Sequence, residues 1–158
     1  AFTNIVFTGL IVKDFSGVEK FINKNAVFLP DEYRLTVVSI AFARLYYTQK
    51  LYNKSINVIL QTEFKDFLMS LSARLLLTKI YMETKDFDVA ENHITTFKKY
   101  LRRQKSIGYH KESVLRFLIT CEQLISIMNA SKKDKKLFQK MITDDAKLIE
   151  KEWLLEQL

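Results

Sequence analysis

Glycine and proline are almost absent from this chain, which has three glycines and one proline in 158 residues. Average proteins contain about 12% of the two together, and β-sandwiches, barrels and Gly-rich phosphate loops need them for their turns. The shortage argues against those folds and predicts an all-α protein. A chain of this length buries roughly 70% of the surface of its unfolded state, which is enough for a core without disulfides or a structural metal.

The cysteine content and the apolar segment near residue 4 bear on the cellular compartment of the protein. Cys121 is the only cysteine, so no intrachain disulfide can form and nothing indicates an oxidising compartment. The apolar segment 4–12 has no basic leader and is shorter than the ~20 residues of a membrane span. We therefore expect a cytoplasmic protein that does not insert into a membrane.

A repeat organises the first two thirds of the chain. Lys-Asp-Phe occurs at 13–15 and again at 85–87, with Lys-Leu-Tyr between them at 50–52. Apolar residues follow a helical period on both sides of each motif. Each copy is therefore predicted to be a pair of antiparallel helices joined by a tight turn. Helix pairs at this period stack into a solenoid.

The same periodicity gives a helix map. We predict helices over residues 3–12, 15–25, 31–48, 52–61, 67–83, 87–103, 109–129, 132–142 and 144–157. Asp14 and Asp86 are placed to cap the helices that follow them, and Gly108 is expected to end the helix that carries Tyr100. We expect one domain over 1–158, with hairpins in 1–107 and C-terminal helices and a cap in 108–158.

The repeat resembles the tetratricopeptide repeats, whose pattern is small-x-x-aromatic, a turn, then aromatic-x-x-small-x-x-x-apolar. The pattern is read in two full copies and half of an earlier one: Ala43, Tyr46, Tyr52, Ser55 and Ile59; Thr78, Tyr81, Phe87, Ala90 and Ile94; and Phe15, Val18 and Ile22. This resemblance, over about residues 5–103, implies a right-handed α-solenoid of about three degenerate hairpins with C-terminal capping helices. The chain also resembles C-terminal helical-repeat regions of uncharacterised Bacteroidota proteins, in stretches such as 43–47, 63–66, 100–103 and 152–156.

No arrangement of residues indicates catalysis. His93 and His110 are the only histidines and lie in different predicted helices, and the sequence has no Cys-x-x-Cys, His-x-x-x-His or Gly-rich phosphate motif. Cys121 has helical spacing with apolar neighbours, which favours a buried position over a reactive thiol. We predict a non-catalytic protein that needs no metal and no cofactor.

The resemblance implies a binding groove. Arg44 and Lys79 occupy equivalent repeat positions that face the concave surface in tetratricopeptide proteins, and Arg116 follows 37 residues later. These three cations are predicted to form a ladder, with Tyr47 and Met82 offering apolar contact to an acidic peptide or protein segment. The alternative is that they are unrelated solvated cations on neighbouring helices.

Positive charge is concentrated in residues 98–140. This segment contains twelve Lys and Arg and three acidic residues, so it carries a net charge of +9 and the remainder of the chain carries −2. Such a segment can attract nucleic acid, an acidic protein or a membrane surface, and the alternative is a solvated face that maintains solubility. The arginine-bearing part forms a candidate basic patch of Lys98, Lys99, Arg102, Arg103, Lys105 and Lys111. Nucleic-acid binding through 98–140 is therefore the second hypothesis.

The first predicted hairpin has an apolar front, residues 5–12. Because an uncapped solenoid end exposes core residues, this front is a candidate surface for a homodimer or for packing on upstream repeats.

Overall fold

The computed structural model describes residues 1–104 and 108–158. Within these ranges the chain has nine α-helices, a 3-10 helix at Ala26–Phe28, and no strand. The helices are α1 (Phe2–Ile11), α2 (Phe15–Asn25), α3 (Asp31–Thr48), α4 (Tyr52–Leu60), α5 (Phe67–Glu83), α6 (Phe87–Arg103), α7 (Gly108–Ile127), α8 (Lys132–Asp144) and α9 (Lys151–Glu156). The all-α prediction is confirmed. None of the described helices is both long enough and apolar enough to cross a bilayer.

The turns that follow α1, α3 and α5 share one backbone conformation. Lys13, Lys50 and Lys85 have positive φ angles of 59°, 61° and 58°. After each lysine, the next amide donates to the carbonyl five residues earlier: Asp14 to Gly9 at 2.9 Å, Leu51 to Tyr46 at 2.8 Å and Asp86 to Tyr81 at 3.1 Å. This is the Schellman motif, which ends a helix sharply and usually carries glycine at the left-handed position. The three sequence motifs therefore end their first helices in the same way.

Equivalent positions of the three copies are also buried to the same degree. Seven residues before the turn lysine lie Val6 at 3% exposure, Ala43 at 0% and Thr78 at 0%. Seven residues after the aromatic residue that begins the second helix lie Ile22 at 0%, Ile59 at 5% and Ile94 at 0%. In the second copy the Ser55 hydroxyl donates to the Ala43 carbonyl at 2.8 Å, which joins α3 to α4. Small residues at such positions let the two helices approach closely.

Two sequence-based expectations about helix ends are wrong. Helix α6 ends at Arg103 with Gln104 extended, and Gly108, with φ of 30°, instead begins α7. The last helix does not begin at residue 144, because Asp144 still belongs to α8 and α9 begins only at Lys151. The Asp145 carboxylate accepts a hydrogen bond from the Lys147 amide at 3.0 Å, and this local turn competes with helix continuation.

One of the two predicted aspartate caps is present. The Asp14 carboxylate accepts a hydrogen bond from the Gly17 amide at 2.9 Å, so it caps α2. Asp86 lies at the same position before α6, but its side chain makes no capping hydrogen bond.

The chain forms two compact units, residues 1–80 and 81–158, and the division falls inside α5. The sequence-based division, at residue 107, lies elsewhere. In the first unit, α1 and α2 pack against α3, and their core comprises Val6, Leu10, Val18, Ile22, Ala41 and Leu45.

The second unit has its own core. In it α6 packs against α7 and α8 against α9. Trp153 of α9 is 7% exposed, its ring centroid lies 5.8 Å from that of Phe117, and its indole N–H donates to Glu83 at 2.8 Å. Trp153 therefore covers the apolar face of α7.

Candidate functional site

A groove runs along the first helices of the hairpins in the first unit. Its volume is about 200 Å³, and its walls come from α1, α3 and the N-terminal part of α5. The lining residues are Phe2, Thr3, Val6, Val37, Ile40, Ala41, Arg44, Met69 and Ser72. Arg44 is the only charged side chain among these described lining residues. The structure thus places a predicted site residue beside an apolar groove.

Lys79 is not among the described lining residues, but helix geometry places it on the face of α5 that carries Ser72. Lys79 follows Ser72 by seven residues on α5, and seven residues are close to two full helical turns. It therefore lies on the same face of the helix as Ser72, ~10 Å further along the axis. Arg44 and Val37 have the same relation on α3, and both cations are half-buried.

Tyr47 belongs to an aromatic cluster at the turn of the second hairpin. Its ring centroid lies 6.2 Å from that of Tyr52. The Lys50 ammonium lies 5.4 Å from the Tyr47 centroid and 5.7 Å from the Tyr52 centroid, within cation–π range. Tyr47 therefore packs on the turn, where it stabilises the left-handed Lys50.

Met82 is not on the surface. It is 4% exposed, so a partner could not contact its side chain without displacing the helices around it. The repeat pattern assigned Met82 to the surface beside Lys79, but Met82 is buried, whereas Lys79, almost one helical turn earlier, is half-buried. The prediction of apolar partner contact through Met82 does not fit this burial.

Arg116 is held by carboxylates of its own unit. One guanidinium nitrogen lies 3.0 Å from Asp145 and another lies 3.6 Å from Glu112, while the side chain is 40% exposed. Lys147 lies 3.5 Å from the same Glu112 carboxylate. Arg116 lies in the second unit and Arg44 and Lys79 in the first, so the ladder of three cations stays a prediction. The charge of the Arg116 guanidinium is already matched by the carboxylates of Asp145 and Glu112.

The ionisation of Asp145 reflects this network. Burial taken alone would raise the pKa of its carboxyl, but the Lys147 amide, the Arg116 guanidinium and the Lys151 charge together outweigh burial. The pKa of Asp145 is therefore lowered from its ordinary value.

The basic patch separates into internal and exposed cations. The Lys98 ammonium bonds both carboxylate oxygens of Glu122, at 2.8 and 2.7 Å, and so joins α6 to α7. The Lys111 ammonium donates to the Gln104 carbonyl at 3.4 Å. Lys105 lies outside the described residues. Three members are exposed at the end of α6: Lys99, Arg102 and Arg103.

Those three exposed cations have a structural role as well. Lys99 and Arg103 are one helical turn apart and Arg102 lies between them on the same side, in the last turns of α6. Cations at a helix C-terminus interact favourably with the helix dipole. The placement is compatible with both the solvated face and an anion-binding surface.

His93 packs against aromatic rings and Cys121 is buried, whereas His110 is exposed. The His93 ring lies 5.5 Å from the Tyr81 ring and 5.9 Å from the Phe97 ring. Burial, aided by the Asp86 charge, raises the pKa of Tyr81. Cys121 is buried. Among residues 1–104 and 108–158, no group of three or more His, Cys, Asp or Glu could hold a metal ion.

The apolar front of the first hairpin has exposed residues on both sides of its buried stripe. Val6 and Leu10 are buried in the hairpin, whereas Ile5 is 49%, Phe7 57% and Ile11 64% exposed. A helix that is apolar all round normally has partners on both sides. The homodimer and the upstream repeat both stay predictions for this surface.

Among the residues at the groove that the sequence analysis did not single out are Phe2, Val37, Met69 and Ser72. The seven-residue spacing from Val37 to Arg44 and from Ser72 to Lys79 is the signal that could have identified two of them. Phe2 and Met69 have no such signal, because the packing of α1 beside α3 decides their positions.

No family model, no curated protein and no solved structure matches this chain.

Proposed function

We propose that this chain is a non-catalytic protein-interaction module, a tetratricopeptide-like solenoid that binds an acidic peptide or protein segment on its concave helical surface. The observation that carries the proposal is the position of Arg44, the one charged side chain among the described lining residues, on the wall of a mostly apolar groove between α1, α3 and α5. In this proposal, the groove is the concave surface.

The groove combines the two properties that peptide recognition needs. Its apolar lining, such as Val37 and Met69, can bury side chains of a partner, and each buried CH₂ contributes about 0.8 kcal/mol. The Arg44 guanidinium can bond a carboxylate through two parallel N–H groups, which fixes register as well as adding affinity. Lys79, on the same face of α5 as Ser72 and about 10 Å further along the helix, adds a second positive charge beyond the groove. The sign of these charges selects an acidic partner.

The test is affinity capture from native lysate with three forms of the chain. The first is the wild type, and the second reverses the groove charges with Arg44→Glu and Lys79→Glu. The third reverses two exposed lysines of α2, with Lys20→Glu and Lys24→Glu. The two variants have the same net charge, so non-specific electrostatic binding changes equally in both.

The proposal expects a partner that is captured by the wild type and by the α2 variant and is lost from the groove variant. A neutral variant, Arg44→Gln with Lys79→Gln, controls for loss of binding through misfolding. Its circular dichroism spectrum should show wild-type helicity, and it should weaken binding less than the charge reversal does. Identical sets of captured proteins for all forms would contradict the proposal.

Nucleic-acid binding is the second candidate, and the exposure of Lys99, Arg102 and Arg103 on one side of α6 favours it. Phosphate contacts release counterions, so this binding should weaken steeply as salt rises. RNA and DNA are titrated at two salt concentrations with the wild type and with Lys99→Glu/Arg103→Glu. No complex at the lower concentration would exclude this candidate.

A further inference from the structure

The second unit has an apolar trough between α7 and α8 that the proposed function does not use. One part, of about 490 Å³, is lined by residues of α7 together with Met141, Ile142 and Leu148. A second part, of about 660 Å³, is lined by Ile127 at the end of α7 together with Leu137, Phe138 and Met141. The two parts, which have Met141 in common, are together called the trough.

The floor and walls of the trough follow helical spacing. On α7, Leu115, Ile119, Gln123 and Ile127 recur every fourth residue, which gives a stripe ~18 Å long. On α8, Leu137 and Met141 are one turn apart. Ile119 is 46% exposed, Leu137 70% and Met141 45%. The apolar row of α8 is distinct from Phe138 and Ile142, which are buried in the unit.

Charge around the trough is unequal at its two ends. At the Leu115 end, Arg116 and Lys147 are matched by Asp145 and Glu112, so the charges balance. At the other end, α8 presents exposed lysines beside its apolar row. Lys133 and Lys140 lie four residues before and three residues after Leu137 and therefore flank it.

Acidic residues at this end are fewer than the lysines of α8. Asp134 and Asp144 line the trough together with Lys140. The Asp134 carboxylate accepts a hydrogen bond from the Ser131 hydroxyl at 2.6 Å, and the Ser131 hydroxyl oxygen accepts one from the Asp134 amide at 3.2 Å. Over its whole length α8 has five lysines and two aspartates, so the helix carries a net charge of +3.

We propose that this trough binds an amphipathic helix of another protein, with its apolar side against the Leu115–Ile127 stripe and Leu137 and Met141, and with acidic residues facing Lys133 and Lys140. Two antiparallel helices leave between them a groove that a third helix fills, and apolar residues at i, i+3, i+4 and i+7 are what such a groove accepts. The stripe accommodates roughly 12 residues of helix. Methionine at the centre suits this use because its flexible side chain adapts to its partner.

The shape of the surface favours a helix over a lipid bilayer. Membrane-binding helices present a convex apolar face that enters the acyl region. Here the apolar side chains line a concavity, and Leu137 and Met141 are the apolar residues that α8 exposes beside it. A concave surface contacts a cylinder over a larger area than it contacts a plane.

The test uses three fluorescein-labelled synthetic peptides of the same length and full-length protein. One has a leucine stripe with glutamates on the flank, the second has the same stripe with lysines on the flank, and the third is a scrambled form of the first. Fluorescence anisotropy should show that the first binds at least about tenfold more tightly than either of the others, a difference of about 1.4 kcal/mol.

Variants locate the site. Leu137→Asp should reduce affinity for the glutamate peptide by at least about tenfold, because it puts a charge into the apolar contact. Leu60→Asp is the matched control: Leu60 is 67% exposed, close to the 70% of Leu137, but lies on α4 in the first unit. Both leucines are exposed, so folding should tolerate both changes. The control should bind as the wild type does.

Methionine-methyl NMR gives an independent readout. The glutamate peptide should shift the Met141 methyl signal in the wild type, and Leu137→Asp should abolish that shift. The proposal is overturned if the scrambled peptide binds equally well, if Leu137→Asp has no effect, or if the Met69 signal alone moves. It is also overturned if Leu137 instead mediates binding to phosphatidylcholine–phosphatidylserine vesicles or self-association.

Discussion

The equivalence of the hairpins predicts the cost of cutting back one buried isoleucine. Ile59 is 5% exposed on α4 and is the repeat equivalent of Ile22, which is 0% exposed on α2. Ile59→Ala removes three carbon atoms from this buried position. At about 0.8 kcal/mol for each carbon, the transfer loss is about 2.4 kcal/mol, and the cavity left behind raises the total to about 3 kcal/mol.

The adjacent residue supplies the control. Leu60 is 67% exposed, so only about a third of its surface is removed from water. Leu60→Ala should therefore cost less than about 1 kcal/mol of unfolding free energy. Ile22→Ala should match Ile59→Ala within the scatter of such substitutions, because both isoleucines occupy the same position of their hairpins.

Urea unfolding followed by circular dichroism measures these differences. Trp153, the only tryptophan, lies in the second unit, so its fluorescence reports a transition of that unit separately. Two-state analysis is applied to each transition by itself. If Ile59→Ala cost no more than Leu60→Ala, or if Ile22→Ala were nearly neutral, the argument from equivalent hairpins would be refuted.

Three further stability changes follow from the structure, each measured by urea unfolding. Ser55→Ala should cost about 1 kcal/mol, because the buried hydrogen bond to Ala43 is lost; an unchanged midpoint would contradict it. Lys85→Gly should stabilise the protein by about 0.5–1 kcal/mol, because glycine adopts φ of 58° without strain, whereas Lys85→Ala should be neutral. The lowered pKa of Asp145 means that its ionised form stabilises the fold above the unfolded pKa near ~4, and that this contribution is lost as pH falls through the lower folded value. Asp145→Asn should therefore cost up to about 1 kcal/mol at neutral pH and progressively less in acid; a difference that is constant with pH would count against the ion pair.

Local structure was predictable from the sequence because it depends on nearest neighbours. The period of apolar residues places α1 to α8 within about two residues of their observed ends. The three turns repeat because the same local hydrogen bonds end each first helix, and lysine tolerates the left-handed position there. The start of α9 was missed because Asp145 takes its partners from Lys147 and from the distant Arg116.

The site was less predictable, since it depends on which helices pack together. The equivalence of Arg44 and Lys79 is visible in the sequence, whereas the contribution of Phe2 and Met69 to the groove is not. The burial of Met82 and the internal ion pairs of Arg116 and Lys98 arise from contacts between separate helices. Spacing within one helix cannot reveal a partner on another.

The most direct test of the account is methionine-methyl NMR of the full chain with the partner identified by capture. Met69 reports on the groove of the first unit and Met141 on the trough of the second. The account predicts that the captured acidic partner shifts the Met69 signal in the wild type, and that the shift disappears in Arg44→Glu/Lys79→Glu but persists in Lys20→Glu/Lys24→Glu. A partner that binds with equal affinity to all three proteins and leaves the Met69 signal unmoved would contradict it.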